Sequence, residues 1–269
     1  MKKIKIYFDS DLNLNVLHNR LVELYVNRTP ISWGNDSIKI VLLIEPPEIM
    51  NINNQIISGL NSGIINELLT HDDDLLKHPN THLFEFGYCW IKEYVPQNKK
   101  FEISGLLGGK RRTEGHLFRY ELFNKIDLIT PPVNMFFSSN NRPNVLFIKK
   151  KYKFLGSKKD PLFNSQFHFC IENVKRNNWF TEKLTDCLFS KTVPIYWGCP
   201  NISDWFDIRG FIVVNSIDDL IYKSNQINEN TYNEMLPFIE KNYELSKNFI
   251  NYERRVENKI NEILNNKYS

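Results

Sequence analysis

The stretch FHFCIENVKRNNWFTEKLTDCLFSKTVPIYWGCPNISDWFD, residues 167–207, carries the clearest fold signal in the chain. An apolar run ends at Glu172 and Asn173, a polar loop follows, and a helical pattern begins near Thr181, a suitable N-cap residue. A second apolar and β-branched run, VPIYW at residues 193–197, comes directly after the predicted helix. Strand, helix and strand in this order predict a βαβ unit of a parallel sheet.

The rest of the chain repeats this alternation of short apolar runs and helical patterns, so the sequence predicts an α/β fold. Strands are predicted over residues 3–8, 38–44, 82–86, 101–107, 167–172, 193–197 and 211–214. Helices are predicted over residues 14–26, 113–125, 181–190 and from 229 onward, with a helix and a short strand within 56–69 and a helix start at 71–77. Residues 136–144 and 149–157 are predicted to be loops. The polar sequence near residues 92–100 predicts a domain boundary, which divides the chain into residues 1–98 and 99–269.

Composition and charge exclude several classes of protein. The 269 residues are 42% apolar, which is enough for a substantial core, and the 34 Lys and Arg against 31 Asp and Glu lack the excess of a general nucleic-acid binder. Four cysteines without CxxC spacing favour reduced thiols. Lys5 and Asp9 interrupt the first apolar run before a signal peptide could form, and no apolar run is long enough to span a bilayer. These features predict a cytoplasmic protein without a transmembrane segment.

The helix that begins near Thr181 is a candidate anion site. A helix start after a parallel strand presents free N–H groups and a positive dipole end, which suit a diphosphate. Lys183 would add a full positive charge, and Glu182 could accept hydrogen bonds from a ribose diol. On spacing alone an alternative is open, in which Glu182 interacts with the helix dipole and Lys183 is a solvated surface charge.

Three short motifs in register give this segment a family resemblance. IEN at residues 171–173, TEK at 181–183 and VPIYWGCP at 193–200 stand in the order and spacing of the donor-binding signature of α-1,3-fucosyltransferases. The ten-residue step from Asn173 to Lys183 also matches. The segment therefore resembles that family over about forty residues.

The resemblance implies a GT-B-like architecture, with two Rossmann-like domains facing a central cleft. Residues 1–98 would be the acceptor-side domain, and residues 99–269 the donor-binding domain with the C-terminal helices. It implies an inverting transfer of fucose from GDP-fucose to a glycan hydroxyl, with no metal ion and no cofactor besides the donor substrate. The resemblance also implies that Asn173, Glu182 and Lys183 contact the ribose and diphosphate. Trp179 stands where the family usually has Tyr, and is a further candidate for a donor contact that keeps the stacking face.

A second basic group for the diphosphate is predicted in SGLLGGKRRTEGHLFRYELF, residues 104–123, where the family carries an Arg on a helix after a strand. No ungapped alignment selects one residue here. Lys110, Arg112 and Arg119 are the main candidates, beside Arg111 and His116. Arg is favoured because its fork binds phosphate oxygens in a bidentate manner. The alternative is a solvated basic turn.

Glu45 is the candidate catalytic base. It follows the predicted strand over residues 38–44, at the point where family members carry a Glu in the acceptor domain. Inverting transfer needs a carboxylate that takes the proton from the acceptor hydroxyl. The alternative is that Glu45 caps a turn, in which case Glu48 is the next candidate.

The sequence contains two further charged runs, one acidic and one basic, and neither is predicted to take part in catalysis. Asp72, Asp73 and Asp74 resemble a DxD metal motif, but they open a predicted helix, where Asp favours the dipole. The basic run Lys149, Lys150, Lys151, Lys153, Lys158 and Lys159 is interpreted as a solvated loop or as the rim of the donor cleft. Two further functions stay open, namely a catalytically silent nucleotide- or glycan-binding module and a transferase that uses another nucleotide sugar. Nucleic-acid binding through the basic run is the least favoured alternative, because the net charge of +3 is small.

Overall fold

The computed structural model describes residues 1–9, 11–30, 36–93, 98–143 and 152–268. The chain forms two compact units. Unit 1 comprises Met1–Phe86, Asn177–Trp179 and Asn251–Ser269, and unit 2 comprises Gly87–Arg176 and Phe180–Ile250.

Unit 1 is built on a parallel sheet. Its elements are β1 (Lys2–Lys3), β2 (Lys5–Tyr7), β3 (Leu17–His18), β4 (Leu21–Val26), β5 (Ser37–Leu43), α1 (Asn53–Asn61), β6 (Glu67–Thr70) and β7 (Thr81–Leu83). The five-stranded sheet has the order β2-β4-β5-β6-β7 with all pairs parallel, while β1 and β3 form a separate antiparallel pair. The C-terminal helix Tyr252–Lys267 packs on one face of this sheet and α1 on the other.

The predicted helix over residues 14–26 is wrong, because this region holds β3 and β4. In β4, Val22, Leu24 and Val26 pack with the C-terminal helix, whereas Tyr25 lies in the cluster on the opposite face. This period of two is that of a strand buried on both faces. Such a strand reads as a continuous apolar run, which the sequence pattern does not distinguish from a buried helix.

Unit 2 contains a second parallel sheet. Its elements are β8 (Lys100–Leu107), α2 (Glu114–Lys125), β9 (Val133–Ser138), β10 (Tyr152–Leu155), β11 (Ser165–Ile171), α3 (Glu182–Phe189), β12 (Val193–Trp197), β13 (Ile212–Val213), α4 (Ile217–Asn225) and α5 (Thr231–Ser246). The strand order is β10-β9-β8-β11-β12-β13, and every pair is parallel. The apolar residues of α2 and α4 pack on one face of the sheet and those of α3 on the other. The predicted α/β class is confirmed.

The predicted loops over residues 136–144 and 149–157 are wrong where they overlap β9 and β10. In β9, Met135 and Phe137 pack with α2 whereas Phe136 lies in a different cluster, so this strand too is buried on both faces. Residues 144–151, which include Lys149, Lys150 and Lys151, lie outside the described part of the chain.

The compact units divide the chain differently from the predicted boundary after residue 98. Unit 2 begins at Gly87, because the backbone N–H groups of Trp90 and Ile91 donate to Asp186 Oδ1 at 2.7 and 3.0 Å. The C-terminal helix belongs to unit 1 because Val256 and Ile260, both fully buried, pack onto the sheet of that unit. The prediction placed the C-terminal helices in the same domain as the rest of residues 99–269, whereas this last helix belongs to the compact unit of the N-terminal residues.

Two further properties concern the whole described chain. No helix within the described ranges combines the length and the apolar character needed to cross a membrane. All four cysteines, Cys89, Cys170, Cys187 and Cys199, are buried and carry reduced thiols. Burial raises the pKa of the Cys170 and Cys187 thiols above its usual range.

Candidate functional site

A cavity of about 350 Å³ lies at the carboxyl ends of the unit 2 strands. The chain runs from β8 through β9 to β10 on one side and from β11 through β12 to β13 on the other. The neighbouring strands β8 and β11 therefore mark a topological switch point, and open α/β sheets bind their ligands at the carboxyl ends of such strands. The charged, histidine and amide residues that line the cavity are Lys110, His116, Arg119, Asn140, Asn141, Lys159, His168, Asn173, Glu182 and Lys183.

The start of α3 is fixed by a buried carboxylate. Glu172 is fully buried at the end of β11, and its two carboxylate oxygens accept hydrogen bonds from the backbone N–H and the hydroxyl of Thr181, each at 2.8 Å. Thr181 in turn caps α3, since its Oγ1 accepts the backbone N–H of Lys183 at 3.3 Å. Burial raises the pKa of Glu172, although Lys183 opposes this. The motif Glu172 to Thr181 thus determines where the helix presents its N–H groups.

Glu182 and Lys183 line the cavity beside a third charge. The Lys183 ammonium lies 3.3 Å from Glu182 Oε1 and 3.9 Å from Glu172 Oε2, and the Lys159 ammonium lies 3.4 Å from Glu182 Oε1. Burial opposes ionisation of Glu182, but Lys183 and Lys159 lower its pKa to about 2. Burial likewise opposes the charge on Lys183, while Glu182 and Glu172 raise its pKa. Both side chains are therefore ionised at neutral pH.

Lys159 is held in place by further contacts. Its ammonium lies 3.2 Å from Asp186 Oδ2 and 3.6 Å from the centre of the Trp90 ring, and only 15% of its side chain is exposed. The interpretation of the basic run as a solvated loop is therefore wrong for Lys159. The rim interpretation agrees with its place in the cavity wall.

Arg119 and Lys110 are the predicted cations that reach the cavity, beside Lys183. The Arg119 guanidinium donates through Nη1 to the carbonyl of Ile171 and through Nη2 to Asn173 Oδ1 at 2.8 Å. Burial lowers the pKa of Arg119 to about 10, against the effect of nearby carboxylates, so the group stays charged. Lys110 is exposed at the cavity mouth, whereas Arg112 is exposed and is absent from the described residues that line the cavity.

The approach of α2 to this site depends on Gly115. Its backbone N–H donates to the carbonyl of Asn173 at 2.9 Å. A Cβ at this position would lie 1.7 Å from the carbonyl oxygen of Glu172. Glycine therefore permits the contact between the first turn of α2 and the end of β11, which brings Arg119 to Asn173.

Trp179 is buried and makes a defined hydrogen bond. It belongs to unit 1, is 1% exposed, and its indole N–H donates to the carbonyl of Ile44 at 3.0 Å. The indole N–H is thus used within unit 1 and supports the backbone next to Glu45. The cavity in unit 2 is lined by other residues among those described.

Glu45 follows β5 at the carboxyl edge of the unit 1 sheet. Asn27 has a left-handed backbone with φ of 53°, and its Oδ1 accepts the backbone N–H groups of Ile44 and Glu45 at 2.9 and 3.1 Å. Glu45 is half-buried in this fixed segment, and Glu48 is exposed. The sheet edge is the one where parallel sheets place functional side chains.

The acidic triplet has structural roles within unit 1. Asp72 Oδ1 accepts the backbone N–H groups of Asp74 and Leu75 at 3.0 and 3.2 Å, at the start of a 3₁₀ turn. Asp73 accepts from Asn177 and Asn178 at 2.9 and 2.7 Å. Across the described ranges, no group of three or more His, Cys, Asp or Glu is arranged to hold a metal ion.

Two residues of the site, Glu172 and Trp90, were not predicted from the sequence as functional groups, and Lys159 was predicted as part of a cleft rim but not as a partner of Glu182. Glu172 lies within the IEN motif, but its position at the end of a predicted strand gave no indication that it would bind Thr181. Lys159 and Trp90 stand 23 and 92 positions before Glu182, and nothing in their local sequence indicates this proximity.

Comparisons with known proteins agree with the predicted family at the level of sequence similarity. No protein-family model matches the chain. Alpha-(1,3)-fucosyltransferase FucT of Helicobacter pylori is 34% identical over 94 residues, which are 33% of this chain and 18% of that protein. The similarity therefore spans less than a fifth of the relative's length.

Solved structures establish the fold class. A crystal structure of an α1,3-fucosyltransferase with GDP-fucose has 17% sequence identity and a TM-score of 0.51, and the match covers 80% of this chain and 68% of that chain. A mutant of S. aureus TarM in complex with Fondaparinux, alpha-GlcNAc-glycerol and UDP has 12% identity and a TM-score of 0.53, covering 89% and 55%. The chain therefore has a GT-B-like fold, and it is similar in sequence to an α-1,3-fucosyltransferase over 94 residues.

Proposed function

We propose that this fucosyltransferase-like chain transfers fucose from GDP-fucose to a glycan hydroxyl, with inversion at the anomeric carbon. One observation carries the proposal: Asn173, Glu182 and Lys183 of the predicted motif line one cavity together with Arg119, at the switch point of a parallel sheet. The motif was selected by sequence order, so its convergence on one cavity is independent support.

The cations and the start of α3 suit a nucleoside diphosphate. Lys183 and Arg119 are charged and half-buried, and Lys110 stands at the mouth. Charge-assisted hydrogen bonds from such groups stabilise the two phosphates of the donor. The same contacts strengthen as negative charge develops on the leaving diphosphate, which is how they would lower the barrier.

Glu182 is proposed to hold the ribose. A carboxylate of low pKa stays ionised and accepts hydrogen bonds from both hydroxyls of a ribose diol. Lys183 and Lys159 orient it from two sides at 3.3 and 3.4 Å. Asn173, which Arg119 holds through Oδ1, keeps its side-chain NH₂ group as a donor toward the nucleotide.

Glu45 is proposed to be the base. The acceptor oxygen attacks the anomeric carbon, the bond from that carbon to the phosphate oxygen breaks, and GDP leaves. The proton of the acceptor hydroxyl goes to the Glu45 carboxylate. Its place beside the end of β5, with the backbone held by Asn27 and Trp179, gives it a fixed position within unit 1.

The three protein cations are proposed to neutralise the diphosphate without a divalent ion. Transfer should then persist in EDTA. Loss of turnover in EDTA that manganese restores would contradict this part of the proposal.

A donor panel tests the function. Purified protein is titrated with GDP-fucose, GDP-mannose, UDP-glucose and CMP-sialic acid in a thermal-shift assay, and product is measured by mass spectrometry with a mixed glycan acceptor. We expect stabilisation by GDP-fucose and a mass gain of one deoxyhexose on an acceptor. Stabilisation by another donor would assign a different nucleotide sugar, and binding of donor without transfer to any acceptor would indicate the silent module.

A further inference from the structure

His116 occupies a defined position in the unit 2 cavity wall. It is the third residue of α2, and the motif Thr113 to His116 forms a reciprocal cap at the start of that helix. The side chain lines the cavity together with Lys110, Arg119 and Lys183. Its role in the cap explains its orientation, but not why a ring with a second nitrogen faces a ligand cavity.

The cap fixes the tautomer of the ring. The backbone N–H of Thr113 donates to Nδ1 of His116 at 3.2 Å, and the Thr113 hydroxyl lies 2.6 Å from the same nitrogen. A backbone N–H can only donate, so Nδ1 is an acceptor and the proton of the neutral ring is on Nε2. Within the described residues, no hydrogen bond of Nε2 is formed.

The surroundings keep the ring neutral. Burial, together with the positive charges of Arg119, Lys110, Lys183 and Arg112, lowers the pKa of His116 to about 4. Arg119 stands on the same helix, Lys110 and Arg112 on the preceding turn, and Lys183 on α3. A neutral N–H donor adds no further repulsion to this group of cations.

We propose that Nε2–H of His116 donates a hydrogen bond to a phosphate oxygen of the nucleoside diphosphate donor, in the cavity formed by α2 and α3. This rests on the proposed function. The chemistry of the ligand follows from the neighbouring groups. Lys110, Arg119 and Lys183 line the cavity, and with the starts of α2 and α3 they favour an anion. The Nε2–H group of His116 is a donor and therefore needs an acceptor, which a phosphate oxygen supplies.

Two variants separate the ring donor from the helix cap. His116→Asn keeps an acceptor near the position of Nδ1 but has no donor that reaches as far as Nε2. His116→Gln keeps an N–H donor at the longer reach. In isothermal titration with GDP-fucose we expect the Asn variant to lose about tenfold to a hundredfold in affinity and the Gln variant to lose about threefold at most.

Two controls identify the contact. Guanosine carries no phosphate, so its affinity should be the same in wild type and both variants. The phosphates of GDP-fucose are both substituted and do not titrate near neutrality. The wild-type affinity for GDP-fucose should therefore be the same at about pH 7 and about pH 8.5, because the ring is neutral across this range.

Several results would overturn the inference. These are an unchanged affinity in His116→Asn, equal losses in both variants, an equal loss for guanosine, or a wild-type affinity that rises on acidification. The last result would mean that the ring binds as a cation. Failure of wild-type protein to bind GDP-fucose at all would instead reject the proposed function.

Discussion

Each unit contains buried charges near a parallel sheet, but the two sets are arranged differently. In unit 1 the Glu67 carboxylate accepts hydrogen bonds from His82, Lys267 and Tyr268 at 2.8, 2.9 and 2.8 Å. In unit 2 the charges of Glu182 and Lys183 face a cavity of about 350 Å³. Both sets lie among apolar clusters, so burial alone does not identify the functional one.

The two carboxylates differ in whether hydrogen bonds from the protein occupy their oxygens completely. Glu67 is 1% exposed and is bound on both oxygens, so it joins the end of the C-terminal helix region to β6. Glu182 contacts two ammonium groups and still lines open space. We therefore expect substitutions of the first kind to change stability and those of the second kind to change ligand affinity.

Glu45→Gln has the largest expected effect and fits neither kind of substitution, because Glu45 is the proposed base and its loss should change turnover. We expect turnover to fall by about a hundredfold or more, since the variant lacks the proton acceptor but keeps its size. GDP affinity should hardly change. Glu48→Gln is the matched control, and a large loss in that variant alone would transfer the role to Glu48.

Gly115→Ala tests the packing that assembles the unit 2 site. The new Cβ would meet the Glu172 carbonyl at 1.7 Å, so α2 must move away from β11. We expect a loss of about 3 kcal/mol in the free energy of unfolding, measured by denaturant titration. Gly156→Ala, where a Cβ meets nothing within 4 Å, is the control and should leave that free energy nearly unchanged.

Lys183→Met sharpens the distinction between ligand and stability effects. We expect GDP affinity to fall about thirtyfold, or about 2 kcal/mol, because a charged contact to the diphosphate is lost. Stability should also fall, because Glu172 and Glu182 lose their ammonium partner. Lys175→Met, an exposed lysine of the same unit, should alter neither quantity. Unchanged GDP affinity in Lys183→Met would remove Lys183 from the site.

Glu67→Gln has the smallest expected effect and should be visible in stability alone. Burial opposes ionisation, but the hydrogen bonds from His82, Lys267 and Tyr268 hold the pKa of Glu67 below its usual value. A lowered folded-state pKa adds stability above the unfolded pKa of about 4.3, and this is lost as pH falls through the folded pKa. We expect a loss of about 1 kcal/mol at pH 7 that vanishes in acid, with donor affinity unchanged. A difference between variant and wild type that does not decrease as the pH falls below about 4.3 would contradict this account.

The parts of the fold that the sequence predicted are those with strong local signals. The strand predicted at residues 193–197 is β12, and the helix predicted at 181–190 contains α3, because a cap residue and β-branched runs mark their ends. The helix predicted over residues 14–26 was wrong because a strand buried on both faces lacks the alternation of apolar and polar residues that identifies a strand.

The candidate site was predictable to the same extent. Glu182 and Lys183 follow from a helix start, which is a local property. The choice of Arg119 over Arg112 was not predictable, because it depends on the position of α2 relative to the end of β11, which Gly115 permits. The hydrogen bond of Trp179 was not predictable for the same reason, because its partner, the Ile44 carbonyl, is 135 positions away in the sequence.

All four cysteines belong to unit 2, and the sequence places none in unit 1. Buried thiols react slowly with alkylating reagents, and they become reactive when the surrounding structure opens. Thiol-labelling kinetics therefore report the opening of unit 2 alone, from the native sequence and without an introduced probe. Slower labelling in the presence of a nucleotide would measure how strongly the ligand holds that unit closed, while unfolding confined to unit 1 leaves the signal unchanged.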